Sequence, residues 1–176
     1  EVSLTRELTM TSVPEYVEGH NLLLGKSVLI TAAAGAGIGF ATAKRAVEEG
    51  ARAIIISDIH AARLERAVES LIGLQKDTKI EGHICDVTRE KSVQDLVKTA
   101  EASLSGVDVL INNAGLGGSR SLVDMSDEDW FKVMDVTLTG TMRMTRAMLG
   151  FMRRRRSGVI VNNASVLGWR AQRDQS

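Results

Sequence analysis

The sequence predicts an α/β fold in which a doubly wound parallel sheet lies between two helical layers, an α/β/α arrangement. Two features of the chain predict it. Short apolar runs rich in valine and isoleucine alternate with longer segments of helical periodicity, as in successive βαβ units. Polar residues follow several of these runs, and they would collect along the carboxyl edge of the sheet, where such folds bind ligands.

The first strand and its turn lie in residues 27–43, SVLITAAAGAGIGFATA. Gly35, Gly37 and Gly39 would let the backbone turn tightly, approach a pyrophosphate and pack the next helix on the strand. The helix that begins near Ile38 would direct its free N–H groups and positive dipole end at the anion. Glycines at this spacing also occur in ordinary loops, and their place between a strand and a helix favours a nucleotide site.

A helix over residues 40–49, closed by Gly50, leads into a second strand over 52–58 that ends at Asp58. Asp58 follows Gly39 by about 20 residues, the spacing at which dinucleotide folds hold ribose hydroxyls with an acidic side chain. Aspartate also caps helices, but its pairing with the glycine turn favours the ribose role. The turn contains no basic residue and Asp58 would repel a 2′-phosphate, so NAD is favoured over NADP.

The remaining elements continue the alternation of strand and helix. Helices are predicted over 61–74 and from Thr88 onward, and strands over 80–85, 107–111 and 158–163. Thr88 is the expected helix cap. Asp86 closes the third strand and Asn112 the fourth, which places both at the carboxyl edge beside Gly35 and Asp58.

A long helix is predicted over residues 127–153, with Ser126 as its N-cap. Five of the seven methionines lie on it, too many for one narrow core stripe: Met134, Met142, Met144, Met148 and Met152. They fit either core filling or an oligomer interface. The basic run at 153–156 is interpreted as a solvated helix end that complements the helix dipole, with a patch for an acyl-CoA phosphate as the alternative.

Residues 1–24 are polar and unpatterned, and they predict a leader that Leu22, Leu23 and Leu24 anchor to the domain of residues 25–176. Twenty-two basic and twenty-two acidic residues balance, so a small-molecule partner is favoured over nucleic acid or a membrane surface. The single cysteine, Cys85, excludes an internal disulfide and a cysteine-only metal site, and suits the cytoplasm. No stretch approaches the ~18 apolar residues of a bilayer span, and no metal site is predicted.

The motifs at the strand ends resemble those of the short-chain dehydrogenase/reductase family over residues 25–176. They are the glycine turn, an aspartate after strand two, Asp86-Val87, Asn112-Asn113-Ala114-Gly115 and Asn163-Ala164-Ser165. More narrowly, the chain is similar to actinobacterial members with a TAAAGxGIG turn, often grouped with 3-oxoacyl-thioester reductases, some of which serve sterol and fatty acyl-CoA breakdown. The resemblance implies a Rossmann-type fold and an oligomer, a homodimer or homotetramer, built through the 127–153 helix.

The resemblance also implies roles for individual residues. Thr31 would open the cofactor-binding turn, and Asp86 and Val87 would hold the adenine. Asn112, Ala114 and Gly115 would line the middle of the cofactor. Ser165 would be the catalytic serine, whose hydroxyl donates to a substrate carbonyl oxygen as negative charge develops.

Two positions depart from the family pattern. The usual turn is TGxxxGIG, whereas residues 31–39 read TAAAGAGIG, with alanine in place of the first glycine; we expect Gly35 to supply the missing backbone freedom. Thr137 stands where most members have an asparagine that kinks the helix and helps to hold a proton-relay water. Its hydroxyl is expected to bond a carbonyl one helical turn back.

The family's acid/base pair, YxxxK, would follow Ser165 at about position 178, beyond the last residue, Ser176. We therefore expect the N-terminal portion of a longer enzyme. The resemblance implies an NAD(H)-dependent oxidoreductase that interconverts a secondary alcohol and a ketone, with a 3-hydroxyacyl/3-oxoacyl thioester as substrate. The alternatives are a steroid or polyol dehydrogenase and, for the 176 residues alone, a non-catalytic nucleotide-binding fragment.

Overall fold

The computed structural model describes residues 15–74, 77–117, 121–170 and 172. Its five strands form one parallel sheet in the order β3-β2-β1-β4-β5. The strands are β1 Ser27–Thr31, β2 Ala53–Asp58, β3 Lys79–Ile84, β4 Val109–Asn112 and β5 Val159–Asn162. The chain reverses its winding direction between β1 and β4, which is the point where doubly wound sheets bind ligands.

The described helices are α1 Ile38–Glu48, α2 Ala61–Ile72, α3 Glu90–Ser103, α4 Asp127–Met134 and α5 Gly140–Arg155. Two short 3₁₀ turns, Leu122–Asp124 and Val166–Gly168, follow β4 and β5. The two helical layers are held by separate hydrophobic cores. Alternate residues of β1 point into each of them: Val28 and Ile30 pack with α1 and α2, whereas Leu29 packs with α3 and α5. The predicted three-layer α/β/α fold is confirmed.

The predicted single helix over 127–153 is interrupted. A π-helical segment, Asp135–Thr139, separates α4 from α5, and the Gly140 amide donates to the Asp135 carbonyl across the wide turn. Such single-turn insertions are rare and occur often at functional sites. The Ser126 cap is confirmed, because its Oγ accepts a hydrogen bond from the Asp129 amide at 3.1 Å.

The expected Thr88 cap of α3 is wrong. Residue Arg89 is the N-cap of that helix, and no side chain caps it. The Thr88 hydroxyl instead donates to Asp86 Oδ1 at 2.6 Å, and the Thr88 amide donates to the same oxygen at 2.9 Å. An aspartate side chain often accepts hydrogen bonds from the residue two positions later and forms a local turn. At Thr88 this turn forms in place of the helix cap.

The described part of the leader is held by hydrogen bonds to Glu49 and by one of its three leucines. Leu23 packs against the core beneath α1 and α2, as predicted, whereas Leu22 and Leu24 are 74% and 71% exposed, which contradicts their predicted anchoring role; residues 1–14 lie outside the described range. The buried carboxylate of Glu49 accepts from the Leu22 amide at 3.0 Å and from Arg45 at 2.5 Å. These partners, led by the Leu22 amide, lower the pKa of Glu49 to about 2. The leader is thus tied to the end of α1.

The core-filling interpretation of the methionines is confirmed for three of the five, and the oligomer interface stays a prediction. Met144, Met148 and Met152 are buried at helical spacing in the core that α5 shares with α3. Met142 is 43% exposed, on the outer side of the helix.

The four arginines of the basic run at 153–156 differ in their exposure and partners. Arg155 donates to the carboxylate of Glu101 at 2.8 Å, whereas Arg153, Arg154 and Arg156 are exposed. The solvated interpretation therefore fails for one of the four arginines.

Candidate functional site

The glycine turn follows β1 as predicted, but its strained residue is an alanine. Ala32 has a φ of +52°, in the left-handed region, whereas Gly35 and Gly37 have no positive φ. The expectation that Gly35 replaces the freedom of the missing glycine is therefore wrong. Ala32 adopts the conformation itself, at the modest cost that a β-carbon there carries.

Gly39 is the glycine that the packing requires. A β-carbon on it would lie 2.5 Å from the Ala32 carbonyl oxygen and 2.5 Å from Asn113 Nδ2. Among the described residues, no atom beyond the local backbone lies within 4 Å of the corresponding point on Gly37, so the space beside the start of α1 is open. The two glycines thus have different roles. Gly39 allows α1 to pack closely on the sheet, and Gly37 leaves open space beside the start of α1.

The start of α1 is suited to an anion. Gly37 is its N-cap and offers no side chain to the first N–H groups, and no acidic residue lies in the first turn. The exposed Ile38 begins the helix. Uncapped N–H groups beside open space fit the pyrophosphate of a dinucleotide.

Asp58 ends β2 next to this turn. Its Oδ2 accepts from the Ala34 amide at 3.3 Å, and its Oδ1 accepts from the His60 amide at 3.0 Å. Each carboxylate oxygen keeps a lone pair for another donor. The structure thus brings the predicted acidic residue to the glycine turn.

A cleft of about 520 Å³ lies between the turn and α2. Ala34, Gly35 and Ala36 line one wall, and Arg63 and Arg66 line the other. Within the described residues neither guanidinium forms an ion pair or a side-chain hydrogen bond. Two arginines on α2, both unpaired within the described part of the chain, therefore face the glycine turn, which itself contains no basic residue.

A buried hydroxyl joins the ends of β1 and β4. Thr31, 1% exposed, accepts at Oγ1 from the amides of Asn113 and Ala114, both at 2.9 Å. Asn113 also donates to the Thr31 and Ala32 carbonyls and accepts from Asn163 at 2.9 Å. Thr31 therefore lies beneath the site and shapes it. Asn113 was missing from the predicted site residues, although a second asparagine directly after a strand is a signal that the sequence displays.

Asn112 lies below this network and is 3% exposed. Its Nδ2 donates to Thr145 at 3.1 Å and to Asn162 at 2.8 Å, while its Oδ1 is buried without a partner in the described chain. Gly115 follows on the exposed side, where the nearest neighbour to an added β-carbon is 3.9 Å away. The structure therefore places Asn112 as a link between β4, β5 and α5, and leaves Gly115 open to a ligand.

The loop after β3 carries the predicted adenine residues. Partial burial raises the pKa of Asp86, but hydrogen bonds from Thr88 and the nearby Arg89 lower it more, and the net pKa lies below its ordinary value. The carboxylate therefore stays charged at neutral pH and can accept from an amino group. Val87 is 8% exposed, and its carbonyl accepts from Arg143 at 3.3 Å.

Thr137 lies in the π-helical segment and bonds a different partner from the one expected. Its Oγ1 accepts from the Leu116 amide at 3.1 Å and faces the Leu116 carbonyl at 3.4 Å, instead of a carbonyl one turn back. Thr137 thus holds the loop that follows Gly115.

Ser165 follows β5 and begins the last 3₁₀ turn. Its Oγ accepts from the Leu167 amide at 3.2 Å, and the residue is exposed. The hydroxyl proton therefore remains available to an acceptor in the site.

The described residues offer neither a metal-binding cluster nor a membrane-spanning helix. No group of three or more His, Cys, Asp or Glu side chains there is arranged to hold a metal ion. None of the helices in that part of the chain combines the length and apolar character needed to cross a bilayer.

Comparison with known proteins accounts for this arrangement. The family model described as short chain dehydrogenase matches residues 26–176. The chain belongs to the short-chain dehydrogenase family. The match begins at the residue before β1 and includes all five strands.

One relative is similar to this chain over nearly the whole of its length. A Mycobacterium tuberculosis protein named "(5R,7aS)-5-hydroxy-7a-methyl-1-oxo-2,3,5,6,7,7a-hexahydro-1H-indene-carboxyl-CoA reductase" is 50% identical over 172 residues. The alignment covers 96% of this chain and 64% of that protein. The chain thus spans less than two thirds of the length of this relative.

Solved structures of the family agree. The crystal structure of a short chain dehydrogenase from Mycobacterium smegmatis matches with a TM-score of 0.88 at 51% identity, covering 92% of this chain and 67% of the other. A xylitol dehydrogenase solved with NAD⁺ bound matches with a TM-score of 0.81 at 33% identity, covering 87% of this chain and 58% of the other.

Proposed function

We propose that this short-chain dehydrogenase is an NAD(H)-dependent oxidoreductase that interconverts a secondary alcohol and a ketone. The observation that carries the proposal is the position of Asp58, whose carboxylate lies 3.3 Å from the Ala34 amide of the glycine turn. An acceptor there suits the ribose hydroxyls of adenosine and opposes a 2′-phosphate.

Residues 25–176 would form the dinucleotide-binding domain, with 1–24 as its leader. The start of α1 would hold the pyrophosphate, and Gly37 and Gly39 would keep the backbone close to it. Asp86 and Val87 would contact the adenine, and Ala114 and Gly115 the middle of the cofactor. When bound, the nicotinamide ring supplies or accepts the hydride.

Ser165 would polarise the substrate carbonyl. Its oxygen already accepts from the Leu167 amide, which fixes the hydroxyl and leaves its proton for the substrate oxygen. A donor fixed in advance stabilises the negative charge that develops on that oxygen. Thr137 would assist by holding the loop at Leu116 in place.

The proposed substrate is a 3-hydroxyacyl/3-oxoacyl thioester, fatty or sterol-derived, because a relative 50% identical is named as a carboxyl-CoA reductase. A polyol is the alternative that the similarity to a xylitol dehydrogenase supports. A steroid alcohol is a third substrate class within the same chemistry.

Nucleotide binding without turnover is the second candidate function for the 176 residues by themselves. Tyr16 is the only tyrosine in the sequence, and it lies in the leader, where its hydroxyl bonds Glu48. No tyrosine is therefore available beside Ser165 to move the proton. Mixing this chain with NADH and acetoacetyl-CoA separates the two functions. Loss of NADH absorbance at 340 nm supports turnover, and unchanged absorbance with bound NADH supports binding alone.

The cofactor proposal is tested by titrating NADH and NADPH against the parent and Asp58→Ala. We expect the parent to bind NADH more tightly, and Asp58→Ala to shrink the difference because the carboxylate no longer repels the 2′-phosphate. Asp95→Ala is the matched control, since this exposed carboxylate pairs with Lys91 on α3. Equal affinities in the parent would overturn the role of Asp58 and direct attention to Arg63 and Arg66.

We also propose that two or four copies associate through α4, the π-helical segment and α5. Exposed apolar side chains lie along these elements: Trp130, Phe131, Leu138, Met142 and Leu149. Sedimentation at micromolar concentration should show a dimer or tetramer that Leu138→Glu dissociates. A monomeric parent would refute the interface. The single, buried Cys85 and the balanced charge are compatible with a cytoplasmic protein.

A further inference from the structure

Arg143 on α5 joins the loop that follows β3 to the π-helical segment that precedes α5. Its Nη1 donates to Asp135 Oδ1 at 2.7 Å and to the Val87 carbonyl at 3.3 Å. The side chain is only 18% exposed. The Asp135 side chain is 41% exposed, so the ion pair is shielded from water mainly on the arginine side, where a charged hydrogen bond is stronger than one fully in water.

The two partners of Arg143 belong to different parts of the candidate site. Val87 lies in the loop that carries Asp86, on the adenine side. Asp135 begins the π-helical segment, and Thr137 within that segment holds the Leu116 loop. The Arg143 guanidinium therefore bonds to both of these parts of the site.

Close packing supports the same contact. Gly140 follows the π-helical segment directly, and a β-carbon on it would lie 2.8 Å from Val87 Cγ2. The backbone at Gly140 thus packs closely against the Val87 side chain. Arg143 bridges this contact from the next turn of α5.

On the basis of the function proposed above, we infer that Arg143 is a positioning residue that fixes the adenine-side loop relative to the Leu116 loop. A dinucleotide spans both loops, whereas AMP needs only the first. Arg143 therefore sets the affinity for the whole dinucleotide without touching it.

Arg146 provides a matched control one turn along the same helix. It pairs with Glu90 on α3 at 2.6 Å, but its side chain is 58% exposed, and within the described residues it forms no hydrogen bond to Asp135 or Val87. Arg143→Met and Arg146→Met remove the same group from the same helix. A general loss of α5 packing would affect both variants alike.

The first measurement is hydrogen exchange at the Leu116 amide, which donates to Thr137 Oγ1. Arg143→Met should lower its protection by about fivefold or more, because the π-helical segment loses its tether. Arg146→Met should leave it unchanged, and Arg143→Lys should fall between because it keeps the charge and a single donor. Equal protection in Arg143→Met and the parent would overturn the inference.

The second measurement compares whole and partial ligands at a temperature where all variants are folded. Arg143→Met should weaken NADH binding by about tenfold and AMP binding by less than about threefold. Equal losses for the two ligands, or none, would refute the positioning role. Asp135→Asn tests the same tether from its other end if Arg143→Met does not fold. A parent that binds neither ligand would refute the proposed function, and the exchange experiment would still test Arg143.

Discussion

Replacing Gly39 with alanine should destabilise the fold at the point where the glycine turn meets the sheet. The added β-carbon would lie 2.5 Å from both the Ala32 carbonyl oxygen and Asn113 Nδ2. That distance is about 1 Å shorter than an ordinary van der Waals contact. Neither neighbour is the free end of a flexible side chain, because Asn113 donates to the Thr31 and Ala32 carbonyls. Backbone must therefore move.

The expected cost has two parts. Overpacking a close-packed contact costs about 1–3 kcal/mol. Moving Asn113 weakens its two hydrogen bonds, each worth about 1 kcal/mol. We expect a total near 3 kcal/mol, which corresponds to a fall of about 6–12 °C in Tm for a chain of this length.

Urea unfolding followed by circular dichroism measures this cost. Gly35→Ala is the control, because the nearest atom to its β-carbon is 4.0 Å away and its φ is not positive. The control should stay within about 0.5 kcal/mol of the parent. If Gly39→Ala is also within about 0.5 kcal/mol, the tight helix contact described above is refuted.

Three further predictions concern stability. The carboxylate of Glu49, with a pKa of about 2 against an ordinary 4.5, stabilises the fold above pH 4.5 and loses that contribution as pH falls toward 2; the Tm difference between the parent and Glu49→Gln should close over that interval. Arg155→Met should cost about 1–3 kcal/mol in urea unfolding, and the exposed Arg153→Met less than about 0.5 kcal/mol. Met148→Ala should cost about 2–5 kcal/mol because it empties the core, whereas the half-exposed Met142→Ala should cost less than about 1 kcal/mol. An inverted order in either pair would contradict the burial on which it rests.

The layers of the fold could be predicted because they depend on apolar periodicity. The β-branched run of β1 and the position of Asp58 after β2 specify a buried parallel strand and its carboxyl end. Gly50 ends α1 as predicted, with a φ of +77°. Each of these signals is local, because it depends on only a few consecutive residues.

The departures depend on contacts between distant residues. The leader bonds Glu49, which sequence alone shows as one of many surface acids. The π-helical insertion is stabilised by Arg143 and by close packing of Gly140 on Val87, about 50 residues away, so no helical pattern reveals it. The positive φ of Ala32 is likewise absent from any sequence pattern, and the Ala32 carbonyl accepts from Asn113, which follows β4.

The junction of Thr31, Asn113 and Asn163 has a thermodynamic consequence. It links the ends of β1, β4 and β5 through side chains that are bonded before any ligand arrives. Little of this edge needs to be ordered on binding, so little conformational entropy is lost there. A dinucleotide should therefore bind with a small entropic penalty from the β1, β4 and β5 strand ends.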